Sequence, residues 1–153
     1  MKTSNSISEL YDSRDELAVL TRNVIWKIDF LNKYTDKEKD ILGKYSSSLF
    51  TLNTFYMANK YIIGKNDVKE YEEFLLRFWM LVADNMKLWQ ELQRGERTKV
   101  DLRENYIATQ NIVIQAFGRV GNYLYAHQAD LEDCLKKIEK IDWCRSSKQW
   151  YMR

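Results

Sequence analysis

Residues 67–94 read DVKEYEEFLLRFWMLVADNMKLWQELQR. Neither proline nor glycine interrupts the stretch, and Gly95 follows it directly. Its first turns carry Asp67, Glu70, Glu72 and Glu73, at the end where aligned peptide dipoles favour negative charge. Asn66 or Asp67 is placed to cap it, and Gly95 to stop it. The segment therefore predicts one long helix, and an all-α fold follows if the flanking sequence agrees.

The flanks do agree. The 153-residue chain has no proline and five glycines, as expected of a helix-rich protein, because proline removes a donor and clashes with the preceding turn. Ser13-Arg14-Asp15-Glu16 fits a capping box, and Leu17, Leu20, Val24, Ile28 and Leu31 follow at helical spacing. Thr35-Asp36-Lys37-Glu38 repeats the box and predicts a short helix stopping at Gly43. SSSLFTLNTFYMANKYII (46–63) sets Leu49, Leu52, Tyr56 and Ile63 near one face and predicts a helix ended by Gly64. Another helical region covers about Val100 to His127. From Ala108 to Gln128 its one formal charge is Arg119, which predicts a helix apolar on most sides and centrally placed. ADLEDCLKKIEKI (129–141) predicts a last helix. NVIWKIDF (23–30) is strand-like in composition, yet no segment sustains a period of two. The predicted architecture is all-α: one compact bundle of five to seven helices, a single domain over residues 1–153, with the long helix near 67–94 at its centre.

Composition narrows the function classes. At 45% apolar and 30% charged residues the chain is ordinary for a soluble globular protein. Its 24 basic and 22 acidic residues leave +2, so nucleic-acid binding would need local charge, since there is no global field. MKTSNSISEL lacks the apolar run of a signal peptide, and no 18-residue apolar stretch occurs, so we expect a cytoplasmic protein without membrane contact. Cys134 and Cys144 lack CxxC spacing and are read as reduced thiols. With one histidine in the chain, a His/Cys metal site is not expected.

Reactive constellations are equally scarce. His127 is the sole imidazole and follows the aromatic run YLYA near a predicted helix end, where it would cap. No GxxxxGK[ST] or GxGxxG loop occurs. Gly118 and Gly121 bracket Arg119-Val120 like the GxxG loop of KH domains, but they sit within a helical pattern, where small residues let a neighbour approach. The expectation is a protein with no catalytic residues, no cofactor and no metal.

Two basic clusters remain. QRGERTKVDLR (93–103) carries Arg94, Arg97, Lys99 and Arg103. The closing IDWCRSSKQWYMR (141–153) carries Arg145, Lys148 and Arg153, preceded by Lys136, Lys137 and Lys140. Such cations suit phosphates, and aromatic side chains between them suit stacking. Alternatively, Trp143 and Trp150 are structural anchors that close over the core while their basic neighbours stay hydrated.

Four stretches in order resemble the DndB family of DNA sulfur modification proteins, marked by a DGQHR motif: SELYDSRDELAVLTR (8–22), SSSLFTLNTFYMANKYIIG (46–64), LRENYIATQNIVIQAFGRVG (102–121) and IDWCRSSKQWYMR. The last is similar to the family's Asp-Trp-x-Arg-Ser-x-x-x-Trp-x-x-Arg ending. The DGQHR motif itself is missing, so the resemblance implies the helical C-terminal part of a longer protein, without the upstream α/β module. It further implies a non-catalytic, DNA-binding regulator of a bacterial DNA phosphorothioate modification system, with transcriptional regulation as its role. Duplex DNA would be contacted through phosphates by Arg145, Lys148 and Arg153, with Arg97, Lys99 and Arg103 as a second patch. The alternative is a protein–protein scaffold that docks onto the missing module, another modification protein or a second copy of itself.

Overall fold

The computed structural model describes residues 15–39, 41–43 and 46–150. Eight α-helices carry the fold among these residues: α1 (Glu16–Lys27), α2 (Asp29–Tyr34), α3 (Leu52–Ile63), α4 (Glu72–Asn85), α5 (Lys87–Gln93), α6 (Lys99–Asn105), α7 (Asn111–Ala126) and α8 (Leu131–Leu135). Short 3₁₀ turns at Val68–Tyr71, Lys136–Lys140 and Lys148–Trp150 extend or join them. Two strands of two residues, β1 (Thr35–Asp36) and β2 (Phe50–Thr51), pair in parallel with Thr35 opposite Phe50. The all-α class stands, and NVIWKIDF is helical except at Ile28, an extended residue that separates α1 from α2.

The count is eight because three predicted helices are broken, the first at Ile28, while the short one expected at 35–43 does not form. The 67–94 segment begins as a 3₁₀ turn capped by the Asp67 carboxylate and bends at Met86, whose backbone is extended. Side chains take up carbonyls left over near the bend: Asn85 Nδ2 donates to Leu81 O and Gln90 Nε2 to Ala83 O, both at 2.8 Å. The turn buries Met86 and points Trp89 inward, where it stacks on Phe30 at 4.9 Å and donates Nε1–H to Ala108 O. The 100–127 segment opens between Asn105 and Asn111, where Tyr106 and Ile107 pair with the chain's closing stretch.

Two starts move as well. The side chain of Asp15 caps α1, accepting from the Leu17 and Ala18 amides; Ser13 and Arg14 lie outside the described residues. Thr35-Asp36-Lys37-Glu38 does not open a helix. Asp36 is in β1, and its carboxylate accepts from the Glu38 and Lys39 amides in a local turn that competes with helix formation. The third predicted helix starts at Leu52, capped by Thr51, and leaves Ser46–Ser48 in a loop. Gly64 and Gly95 end their elements as expected, with φ of 61° and 77° in the left-handed region open to glycine.

The centre is the α3–α7 pair. A Cβ on Gly118 would lie 2.9 Å from the Ala58 carbonyl oxygen, and one on Gly121 would lie 2.9 Å from Ile62 Cδ1, so both glycines serve close approach. Gln115 donates to Thr54 O and Asn122 to Ile62 O, which ties α7 to α3 along its length. Across the core, Trp79 Nε1 donates to Asn59 Oδ1 at 2.7 Å, and Asn59 Nδ2 donates to Thr21 Oγ1 at 3.0 Å. That buried chain joins α4, α3 and α1 with its polar atoms satisfied. α7 is less enclosed than its sequence predicts: it buries Val113, Ile114, Phe117, Gly118, Gly121 and Leu124 but exposes Ile112, Val120 and Tyr123.

Candidate nucleic-acid interface

The two basic clusters, some forty residues apart in sequence, meet in space. α6 lies between the Ser46–Ser48 loop on one side and the closing stretch, residues 141–150, on the other. That stretch is strapped down by backbone contacts: Ile107 N–H donates to Trp143 O at 2.9 Å, Arg145 N–H donates to Asn105 O at 2.8 Å, and Tyr106 bridges to Cys144.

Arg145 completes the strap. Its Nε donates to Glu104 O at 3.1 Å and its Nη2 to Arg103 O at 2.8 Å, so the guanidinium caps the C-terminal carbonyls of α6. A cation is favoured there by both the unsatisfied carbonyls and the helix dipole. With its amide oxygen turned inward, Gln110 accepts from Nη2 and Nη1 of the same group at 2.7 and 2.8 Å. On the opposite side, Arg103 Nη2 donates to Ser46 O at 2.6 Å and Ser48 O at 2.7 Å, while Lys99 Nζ reaches Ser47 O at 3.4 Å.

The remaining cations are held differently. Arg97 donates to Glu91 and Asp101 carboxylates, with nitrogen–oxygen separations of 2.9 and 2.7 Å, and its guanidinium lies 5.0 Å from the Tyr106 ring centroid. The hydrogen bond to Asp101, then that to Glu91, raises the Arg97 pKa against the opposing effect of burial. Asp101 in turn is held below its usual range by hydrogen bonds from Asn105 and Arg97. Arg94 pairs with Glu96 on the exposed surface. Lys136, Lys137, Lys140 and Lys148 are exposed, and Arg153 lies outside the described residues.

This sorting has an electrostatic consequence. Carboxylates cancel the charge of Arg97 and Arg94. Backbone carbonyls orient Arg103 and Arg145. Trp143 packs against Phe117 at 6.0 Å and stacks under Trp150 at 5.9 Å, whose Nε1 donates to Cys144 O at 3.0 Å. The two tryptophans thus brace the strap as one unit, with Trp150 at the surface.

His127 is the C-cap of α7, with Nδ1 2.9 Å from Tyr123 O and its ring stacked on Tyr123. Cys134 and Cys144 are free thiols. Among the described residues there is no group of three or more His, Cys, Asp or Glu side chains able to hold a metal ion, and no helix long and apolar enough to cross a membrane. Sequence reasoning missed Gln110, Tyr106 and the Ser46–Ser48 carbonyls. None carries charge, and their role depends on chain crossings that spacing does not encode.

These features define a class: a small helical protein whose closing strap, braced by tryptophans, is tied to a second cationic segment. The chain belongs to the DndB family, described as DNA-sulfur modification-associated, whose sequence profile it matches over residues 1–153. Membership associates it with DNA sulfur modification. No curated protein and no solved structure matches it.

Proposed function

We propose that the chain is a cytoplasmic, non-catalytic DNA-binding regulatory component of a DNA phosphorothioate modification system, acting as one helical domain. The observation that carries this reading is the meeting of α6 and the strap, which brings Arg103, Arg145 and Lys99 together in one part of the fold, each held by backbone carbonyls. Lys148 and Arg153 extend the same closing segment. Cations of this kind suit the phosphates of a duplex, because phosphate contacts position a protein without reading bases. Arg97 serves this surface from beneath, locking α6 to α5 through Asp101 and Glu91.

Fluorescence anisotropy with a promoter-length duplex at two salt concentrations tests the reading. Affinity is expected to fall as salt rises, with a logarithmic slope of about 0.9 for each phosphate neutralised. Lys148→Glu together with Lys99→Glu is expected to abolish binding without changing the circular dichroism spectrum. Absence of binding at micromolar protein, or binding indifferent to salt, would sink it.

A second reading, a scaffold for another modification protein or for the DGQHR module, draws on Trp26, which is 69% exposed on α1. An exposed tryptophan suits a protein contact more than a phosphate. Under that reading the charge reversals leave association with the partner intact.

A further inference from the structure

From Trp143 to Trp150 the strap carries Arg145 and Lys148 and no carboxylate. Asp142, the acid just before it, is turned to the strap's own backbone, its Oδ1 accepting from the Cys144 amide at 3.0 Å. The strap ends in a ring held in place from two directions. The Trp150 indole lies against the Trp143 ring, 23° from parallel, and its Nε1 edge is fixed on Cys144 O. Its backbone is fixed as well, because Trp150 N–H donates to Ser147 O and Ser147 N–H to Cys144 O. Trp79 and Trp89, which serve the core, are buried, whereas Trp150 is 36% exposed. Trp143 covers one side of the ring and the backbone holds the Nε1 edge, so the part that meets water lies away from Trp143.

We infer that Trp150 is a platform on which an unpaired nucleobase stacks, so that the strap holds DNA with unpaired bases more tightly than fully paired DNA. The inference rests on the DNA-binding reading above and names the form of DNA that the strap takes. Two properties select the ligand. A flat aromatic ring suits another flat ring, and cations on the same strap, with no acid among them, suit phosphate; a nucleotide supplies both. Base pairing then selects among nucleic acids. Inside a duplex both faces of each base are covered by its neighbours, so a protein ring reaches a base face only where the strand is unpaired or ends. A ring already fixed by Trp143 and Cys144 also loses little side-chain freedom when a base settles on it.

Electrostatics alone gives the opposite order. A duplex carries more charge along its axis than a single strand, and the salt slope for each phosphate neutralised is about 0.9 against about 0.7. A surface that only neutralised phosphates would gain least from an unpaired segment. Stacking supplies a term that depends on bases and not on phosphates, and this makes the two separable.

Fluorescence anisotropy on the full chain with three probes tests the platform: a blunt duplex, the same duplex with a single-stranded thymidine tail, and the same duplex with an abasic tail of equal length. The two tails carry the same phosphates and differ only in bases. The thymidine tail is expected to bind at least about 5-fold more tightly than the abasic one. Trp150→Leu keeps an apolar cover over Trp143 but has no ring, and should bring the two tails to equal affinity. Trp150→Tyr keeps a ring and should retain most of the difference. If Trp150→Leu lowers Tm, the wild-type comparison of the two tails still decides. Equal binding of both tails beside salt-sensitive binding of the blunt duplex overturns the platform and leaves the reading above in place, and a difference that survives Trp150→Leu overturns the platform too. A blunt duplex left unbound while the thymidine tail is held overturns the duplex reading and supports the platform. Failure to bind any of the three overturns both.

Discussion

Gly118 and Gly121 share one helix face, yet the structure gives them unequal tolerance. A methyl group on Gly118 meets backbone, the Ala58 carbonyl at 2.9 Å and its Cα at 3.1 Å, which moves only if α3 moves. On Gly121 it meets the end of the Ile62 side chain, which can rotate, and then Phe78 Cζ at 3.2 Å. Replacing glycine with alanine inside a helix contributes about 1 kcal/mol in propensity, and an overpacked core loses about 1–3 kcal/mol. Gly118→Ala is therefore expected to be destabilising and Gly121→Ala near neutral, as read from urea midpoints at constant m-value. Arg145 can be dissected in the same spirit, because its position and its charge are separable. Arg145→Ala should loosen the strap, so acrylamide quenches Trp143 and Trp150 more strongly, and should lower the salt slope of DNA binding by about 0.9. Arg145→Lys should restore the slope but not the protection, since an ammonium cannot fork across Arg103 O and Glu104 O. Equal rescue of both readouts would show that charge alone holds the strap.

At the scale of elements, the sequence was legible where the signal is local. Glycine stops at Gly64 and Gly95, the acidic start of 67–94 and the apolar repeat of α1 each depend on neighbours within one or two turns. Breaks at Met86 and at 106–110 were hidden, because each is stabilised by distant partners. Trp89 needs Phe30 and the Ala108 carbonyl, and Tyr106 needs Cys144. No glycine or proline marks either break. The box at 35–38 misled for a related reason. Its Asp36 satisfies amides as well in a turn as in a helix, and the pairing of Thr35 with Phe50 decides between them. The basic clusters were legible as clusters. The carboxylates that hold Arg97 and the carbonyls that accept from Arg103 and Arg145 were not, since these contacts exist only once the strap is laid across α6.

For the whole molecule, the distribution of paired carboxylates sets the response to acid. Asp101 is held below its ordinary value by Asn105 and Arg97. Burial acts to raise Asp36, but the amides of Glu38 and Lys39 and the nearby lysine charges bring it below the ordinary value. A carboxylate whose folded pKa is depressed binds fewer protons in the native state than in the unfolded chain. Its stabilisation is thus complete above the unfolded value, about 3.9 for aspartate, and is lost as pH falls through the folded one. Both groups sit where segments join: Asp36 at the β1–β2 pair and Asp101 beneath the strap. Urea midpoints should therefore stay level from pH 7 to about 5 and decline below about 4. Asp101→Asn removes one of the titrating groups while leaving an oxygen for Arg97, so it should lower the midpoint at pH 7 and flatten the acid limb. DNA affinity measured at fixed salt should weaken over that same acid range, because protonating Asp101 frees α6 from α5 and disperses the cations it carries. A steep loss of stability already between pH 7 and 5 would instead place the responsible group elsewhere in the fold.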